Sequence, residues 1–91
     1  MLRKFVIERD IPGVGLMTAP QLKDAAETSN CALAKLPDVQ WVQSYVAKDK
    51  TFCIYLAADG AAIQEHARLS GFPANTITEI TTIIDPTTAR G

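Results

Sequence analysis

The sequence predicts an α+β fold with the element order strand, helix, strand, strand, helix, strand. Three observations predict it. Short segments alternate apolar and polar residues and are rich in β-forming types. Two longer segments have helical spacing, and each begins at a capping residue. Pro and Gly residues separate the segments. This βαββαβ order is the ferredoxin-like pattern, in which we expect a four-stranded antiparallel sheet with two helices on one face.

The first strand is expected over residues 3–10, which alternate with a period of two. In this strand Phe5 and Ile7 point to one face of the sheet, whereas Val6 and Glu8 point to the other. The strand therefore contributes an apolar face and a face that carries a carboxylate.

Both helices have start and stop signals. Thr18 and Gln21 have the three-residue spacing of a capping box, and the helix that follows should end at about residue 36, before Pro37. Asp59 is the expected N-cap of the second helix. Gly71 is its expected left-handed C-terminal residue.

Residues 39–47 and 51–58 are expected to form a hairpin, and with a turn centred near Asp49, Tyr45 lies opposite Cys53. One face of the hairpin is then aromatic and polar: Trp41, Gln43, Tyr45, Cys53 and Tyr55. The other face is apolar: Val42, Val46, Phe52, Ile54 and Leu56. We expect both helices to cover the apolar face, and a homodimer to bury the aromatic face.

Length and composition indicate one domain over residues 1–84, which includes a last strand at 77–84, and a flexible tail over 85–91. The chain has 91 residues and a net charge of −1, and its basic residues are scattered, so nucleic-acid binding is not expected. No apolar run is long enough for a membrane span or a signal peptide, so we expect a cytoplasmic protein without a disulfide.

Glu8, Cys53 and His66 are the candidate metal ligands. Carboxylate, thiolate and imidazole together suit a transition metal such as Ni²⁺, and also Cu²⁺ or Zn²⁺. Each residue also has an ordinary structural interpretation: Glu8 as a solvated or ion-paired carboxylate, Cys53 as a small buried residue, and His66 as a hydrogen-bonded residue in the buried arc of the second helix. Cys31 falls on the outer face of the first helix and is not expected to bind metal.

An organic-ligand site is the alternative, in a dimeric α+β-barrel type of enzyme or binding protein. Glu8, Tyr45 and His66 would line its pocket, and Tyr45 and Tyr55 would contact a bound cofactor or ligand. No nucleophile–base spacing and no Gly-rich phosphate loop is present, so the sequence leaves catalysis open.

Five segments together resemble a known family: Glu8-Arg9-Asp10, Trp41-Val42-Gln43-Ser44-Tyr45-Val46, Cys53-Ile54-Tyr55-Leu56-Ala57, Glu65-His66-Ala67 and Gly71-Phe72-Pro73. The family comprises small bacterial ferredoxin-like nickel-binding proteins, known largely as a domain of unknown function. The resemblance covers residues 3 to 84 and implies a ferredoxin-like fold, a homodimer, and nickel at or near the dimer. Glu8, Tyr45, Cys53 and His66 occupy the family's pattern positions.

Overall fold

The fold is a four-stranded antiparallel sheet with two helices packed on one face, as predicted. A computed structural model describes all 91 residues. The strands are ordered β2-β3-β1-β4, and the helices contact each other and the sheet. The element bounds are β1 Arg3–Asp10, α1 Ala19–Leu33, β2 Val39–Val46, β3 Lys50–Ala57, α2 Gly60–Ser70 and β4 Thr76–Ile80.

The predicted caps at the starts of both helices and the glycine at the end of α2 are confirmed, whereas α1 ends at Leu33 instead of at about residue 36. Thr18 and Gln21 form a reciprocal capping box, because each side chain accepts a hydrogen bond from the other residue's backbone N–H. The Asp59 side chain accepts a hydrogen bond from the backbone N–H of Ala62 at 3.0 Å. Gly71 ends α2 in the left-handed region at φ 79°. No helix has the length and apolar character needed to cross a membrane.

The hydrophobic core lies between the sheet and the two helices. It is one cluster of seven buried residues: Phe5, Ile7, Val39, Cys53, Tyr55, Ala57 and Ile63. Six of them come from the three neighbouring strands β1, β2 and β3, and Ile63 comes from α2. The β1–β3 pair is therefore the centre of the fold, and its side chains determine which face the helices cover.

The expected register of the hairpin is wrong by one residue. Tyr45 pairs with Phe52, and Ser44 pairs with Cys53, because the turn is centred between Lys48 and Asp49 rather than on Asp49. A shift of one residue moves every side chain of one strand to the opposite face relative to its partner. A β-bulge at Val42 changes the register again, so that Trp41 pairs with Tyr55.

The expected assignment of the two hairpin faces is therefore also wrong. The helices cover the face that carries Trp41, Cys53 and Tyr55, and this face includes the buried side chains Phe5, Ile7, Arg9, Thr51 and Ala57. The opposite face has no covering layer and is half-exposed; we call it the open face. It carries Val6, Glu8, Tyr45, Phe52, Ile54 and Leu56.

The loop between β1 and α1 packs closely against the hairpin turn. It contains a single 3₁₀ turn at Val14–Leu16, and the Gly15 N–H donates to the Lys48 carbonyl oxygen at 2.9 Å. A Cβ on Gly15 would lie 2.7 Å from the Ala47 carbonyl oxygen, so only glycine fits at this close approach.

The last strand is shorter than predicted. It ends at Ile80 instead of residue 84, and a short exposed 3₁₀ helix over Pro86–Arg90 follows near the C-terminal end. The Asp85 side chain caps this helix by accepting the Thr87 N–H at 2.8 Å. The boundary of the domain at residue 84 and the flexibility of the tail stay predictions.

Candidate functional site

The three candidate metal ligands lie in two different layers of the molecule. Glu8 is on the open face, where the Lys50 ammonium lies 3.4 Å from its carboxylate and 3.6 Å from that of Asp10. Cys53 and His66 are buried on the helix-covered side. Cys53 was expected beside Glu8, but the register pairs Cys53 with Ile7, so the two side chains point to opposite faces.

Tyr45 and Tyr55 are also separated by the sheet. Tyr45 is 57% exposed on the open face, and Tyr55 is buried beneath the helices. The expected common face of the two tyrosines is therefore wrong, and their contact with a ligand stays a prediction. The shifted turn is the physical reason, because it pairs Tyr45 with Phe52, whose side chain points to the face opposite to that of Tyr55.

Ser29, Tyr55 and His66 form a buried polar cluster between α1, β3 and α2. The Ser29 hydroxyl lies 3.3 Å from His66 Nε2 and 3.4 Å from the Tyr55 hydroxyl. The rings of Tyr55 and His66 meet edge to face, with centroids 5.0 Å apart. His66 is 0% exposed, which confirms its predicted place in the buried arc of α2.

His66 Nε2 also lies 3.4 Å from the backbone carbonyl oxygen of Ser29. A carbonyl oxygen only accepts, so this contact assigns the proton to Nε2. His66 Nδ1 is then a buried acceptor, and it has no hydrogen-bond partner.

Burial shifts the pKa values of His66 and Tyr55 in opposite directions. Desolvation lowers the pKa of His66 below its ordinary value; the hydrogen bond with the Ser29 carbonyl oxygen opposes this, and the positive charge of Arg9 adds to the lowering. Desolvation raises the pKa of the Tyr55 hydroxyl, although its hydrogen bond with Ser29 opposes this. Both rings are therefore neutral near pH 7, and Arg9 carries the charge of this region.

Arg9 is the site residue that the sequence analysis missed. Its side chain is 2% exposed on the helix-covered face, and its guanidinium carbon lies 5.8 Å from the centroid of the Tyr55 ring. The signal was present in the sequence, because Arg9 continues the alternation of Phe5 and Ile7 and must share their face.

A cavity of about 330 Å³ lies between α1, the sheet and the loop after β1. Arg9, Ser29, Thr51, Cys53 and Tyr55 form part of its wall. The remaining wall is mainly apolar and includes Ile11, Val14, Met17, Leu22, Trp41 and Phe72. Glu8, Tyr45 and His66 are not among the lining residues, so the pocket expected from these three side chains is not the one that the fold forms.

A single chain does not contain a complete metal site. No three His, Cys, Asp or Glu side chains come close enough together to hold a metal ion. Cys31 is exposed, as expected, on the outer side of α1. A site with three such side chains that includes Glu8 would therefore need a donor from a second chain.

Residues 5–80 match a protein family described as "Nickel responsive protein SCO4226-like". The chain belongs to this family. The matched segment contains β2, β3, β4, both helices and β1 from Phe5 onward, and it includes Glu8, Arg9, Cys53 and His66. No curated protein sequence matches the chain significantly.

The fold is similar to that of a solved member of the family. The crystal structure of SCO4226 from Streptomyces coelicolor A3(2) superposes with a TM-score of 0.75 at 19% sequence identity. The similarity covers 89% of this chain and 99% of the SCO4226 chain. At this level of identity the comparison shows a common fold, which is the ferredoxin-like fold that the sequence predicts.

Proposed function

We propose that the protein is a nickel-binding homodimer that assembles through the open face and binds the metal at the interface. The observation that carries the proposal is membership of the nickel-responsive family, over a segment that contains nearly the whole sheet. Glu8 lies on the opposite side of the sheet from Cys53 and His66, and this separation supports a site that needs a second chain.

The chemistry of the open face favours a second copy of the chain. Val6, Phe52, Ile54 and Leu56 form an apolar centre that is only half-buried in one chain. A sheet face of this kind is normally covered by another layer. Around it lie both signs of charge, with Lys50 between the carboxylates of Glu8 and Asp10. A two-fold axis can place the lysine of one chain near the carboxylates of the other.

The electrostatics favour the open face over the buried layer as the place of the metal. Beneath the helices, Cys53 and His66 offer two donors, but the buried guanidinium of Arg9 lowers the affinity of that region for a divalent cation. On the open face the carboxylates of Glu8 and Asp10 carry two negative charges against the one positive charge of Lys50, and a two-fold axis would double this excess. Nickel commonly takes imidazole ligands, so Cys53 and His66 belong in the test.

Calorimetric titration of Ni²⁺ into chelator-treated protein, purified without a metal-affinity tag, tests the proposal. Glu8→Gln should weaken binding about tenfold or more, because it removes the charge and keeps the shape of the side chain. Cys53→Ser and His66→Gln should leave binding close to that of the wild type. Cys31→Ser is the matched control for the cysteine, since Cys31 is exposed on the outer side of α1.

The dimer requires its own measurement. Ile54→Asp places a charge in the centre of the open face and should convert the protein to a monomer in analytical ultracentrifugation. Ile83→Asp is the matched control, because Ile83 is already 64% exposed near the C-terminal end. A wild-type chain that remains monomeric at high micromolar concentration would contradict the homodimer.

The combination of variants locates the metal. If Ile54→Asp also abolishes nickel binding, the site depends on the partner chain, as proposed. If Cys53→Ser and His66→Gln weaken binding and Ile54→Asp does not, the metal binds beneath the helices, and the interface site is wrong. The pH dependence is a second criterion, because imidazole ligands are lost below about pH 6, whereas carboxylates stay ionised to lower pH.

A further inference from the structure

We propose that the cavity beneath α1 is a binding site for a small apolar carboxylic acid, whose carboxylate pairs with the guanidinium of Arg9. This proposal is independent of nickel, because the cavity and the open face lie on opposite sides of the sheet.

The first observation is a buried cation without a counter-charge. Arg9 is 2% exposed, and no carboxylate lies within ion-pair distance of it. Its Nη1 donates to the backbone carbonyl oxygen of Pro73 at 2.7 Å, with a longer contact of 3.5 Å to that of Phe72. These contacts satisfy one end of the guanidinium but do not neutralise its charge.

The second observation is the unused donor. Arg9 Nη2 is buried and has no hydrogen-bond partner. A buried charged donor without a partner is strongly unfavourable, and folded proteins rarely retain one unless a bound group satisfies it. Since Arg9 lines the cavity, a ligand in the cavity is in a position to supply the missing acceptor.

The other side chains near Arg9 favour an anion over a cation or a neutral polar group. His66 is neutral and Tyr55 keeps its proton near pH 7, so the guanidinium is the only formal charge among the buried polar groups at this wall. The planar guanidinium fork matches the geometry of a carboxylate and binds it more specifically than a lysine would.

The remaining lining of the cavity determines the size and polarity of the part of the ligand that carries the carboxylate. Most of its lining is apolar, with Trp41 and Phe72 as the aromatic members, and Leu22 and Val46 are partly exposed at its edge. A volume of about 330 Å³ is at the lower end of the range of ligand pockets. These features select a compact aromatic or aliphatic monocarboxylate and exclude nucleotides and other large polar anions.

Phenylacetate and its uncharged amide, phenylacetamide, form a matched pair of probes for this site. Titration of each into ¹⁵N-labelled wild-type protein should shift the amide signals of residues that line the cavity, with phenylacetate binding about tenfold or more tightly. Octanoate tests whether an aliphatic acid also fits. Equal affinity for the acid and the amide, no binding at millimolar concentrations, or shifts confined to other surfaces would overturn the proposal.

Two variants test separately the contribution of the Arg9 charge and the need for the cavity. Arg9→Gln removes the charge and should reduce phenylacetate affinity about tenfold or more, while its affinity for phenylacetamide changes little. Ala26→Phe fills the cavity from α1 without altering Arg9 and should abolish binding of both probes. If Arg9→Gln does not fold, the comparison of acid with amide on the wild type still decides the proposal. Unchanged binding in a folded Ala26→Phe variant would place the ligand elsewhere.

Discussion

Lowering the pH from about 7.5 to about 5.5 should destabilise the metal-free protein, because the unfolded chain protonates His66 more readily than the folded protein does. Burial lowers the pKa of His66 in the folded state, whereas the unfolded chain has the ordinary value of about 6.5. The stability that depends on the neutral ring is therefore fully present above pH 6.5 and is lost as the pH falls below it.

The size of this loss of stability follows from a difference of at most one bound proton between the unfolded and the folded state. The free energy of unfolding changes by about 1.4 kcal/mol per pH unit while the unfolded state holds one more proton than the folded state. The loss by pH 5.5 is therefore about 1.4 kcal/mol at most, reached when the folded protein keeps the ring neutral. In a chain of 91 residues this corresponds to roughly 5–10 °C in Tm.

Urea unfolding in the presence of a chelator, repeated at a series of pH values and one protein concentration, measures this loss. His66→Gln is the control, because glutamine can still donate to the Ser29 carbonyl oxygen but does not titrate. Its stability should be nearly flat over the same range. Parallel curves for the wild type and His66→Gln would refute the assignment of the effect to His66.

Three further predictions concern the fold, and each has a control. Gly15→Ala should destabilise the protein, because the added Cβ would clash with the backbone of Ala47 and Lys48. Gly60→Ala is the control, because its Cβ would meet no other atom, and it should stabilise the protein by about 0.5 kcal/mol. Thermal melts in which the two variants change Tm in the same way would contradict this. Thr18→Ala should lower the free energy of unfolding by about 1 kcal/mol through loss of the capping box, and Thr18→Ser should restore it in urea titrations. Ile63→Ala should cost about 2–5 kcal/mol because Ile63 is completely buried, whereas Ile83→Ala should stay within about 0.5 kcal/mol of the wild type.

The fold was predictable from the sequence because its signals are local. The capping box at Thr18, the cap at Asp59 and the left-handed Gly71 each depend on residues within a few positions of one another. Together with the alternation in β1, they define the element order without any knowledge of distant contacts.

The site was not predictable because it depends on register. The sequence at Lys48 and Asp49 allows turn centres that differ by half a residue, and each choice places a different set of β2 side chains on the same face as Cys53 and Tyr55. Glu8 and Cys53 were joined in one expected site because the more apolar face of β3 was expected beneath the helices, whereas the helices cover the face of Cys53 and Tyr55. The pairing of the strands is decided by the packing of Phe5, Ile7 and Tyr55 against the helices, which is a long-range property.

The bulge at Val42 lets an odd-numbered and an even-numbered residue of β2 point to the same face of the sheet. Trp41 precedes the extra residue and Ser44 follows it, yet both face the cavity, and the Trp41 indole N–H donates to the Ser44 hydroxyl at 2.9 Å. Deletion of Val42 would reverse the direction of the side chains at one end of β2. Either Trp41 or Ser44 would then no longer line the cavity. Among relatives, insertions and deletions in this strand should therefore be rarer at Val42 than substitutions, even though its side chain is exposed.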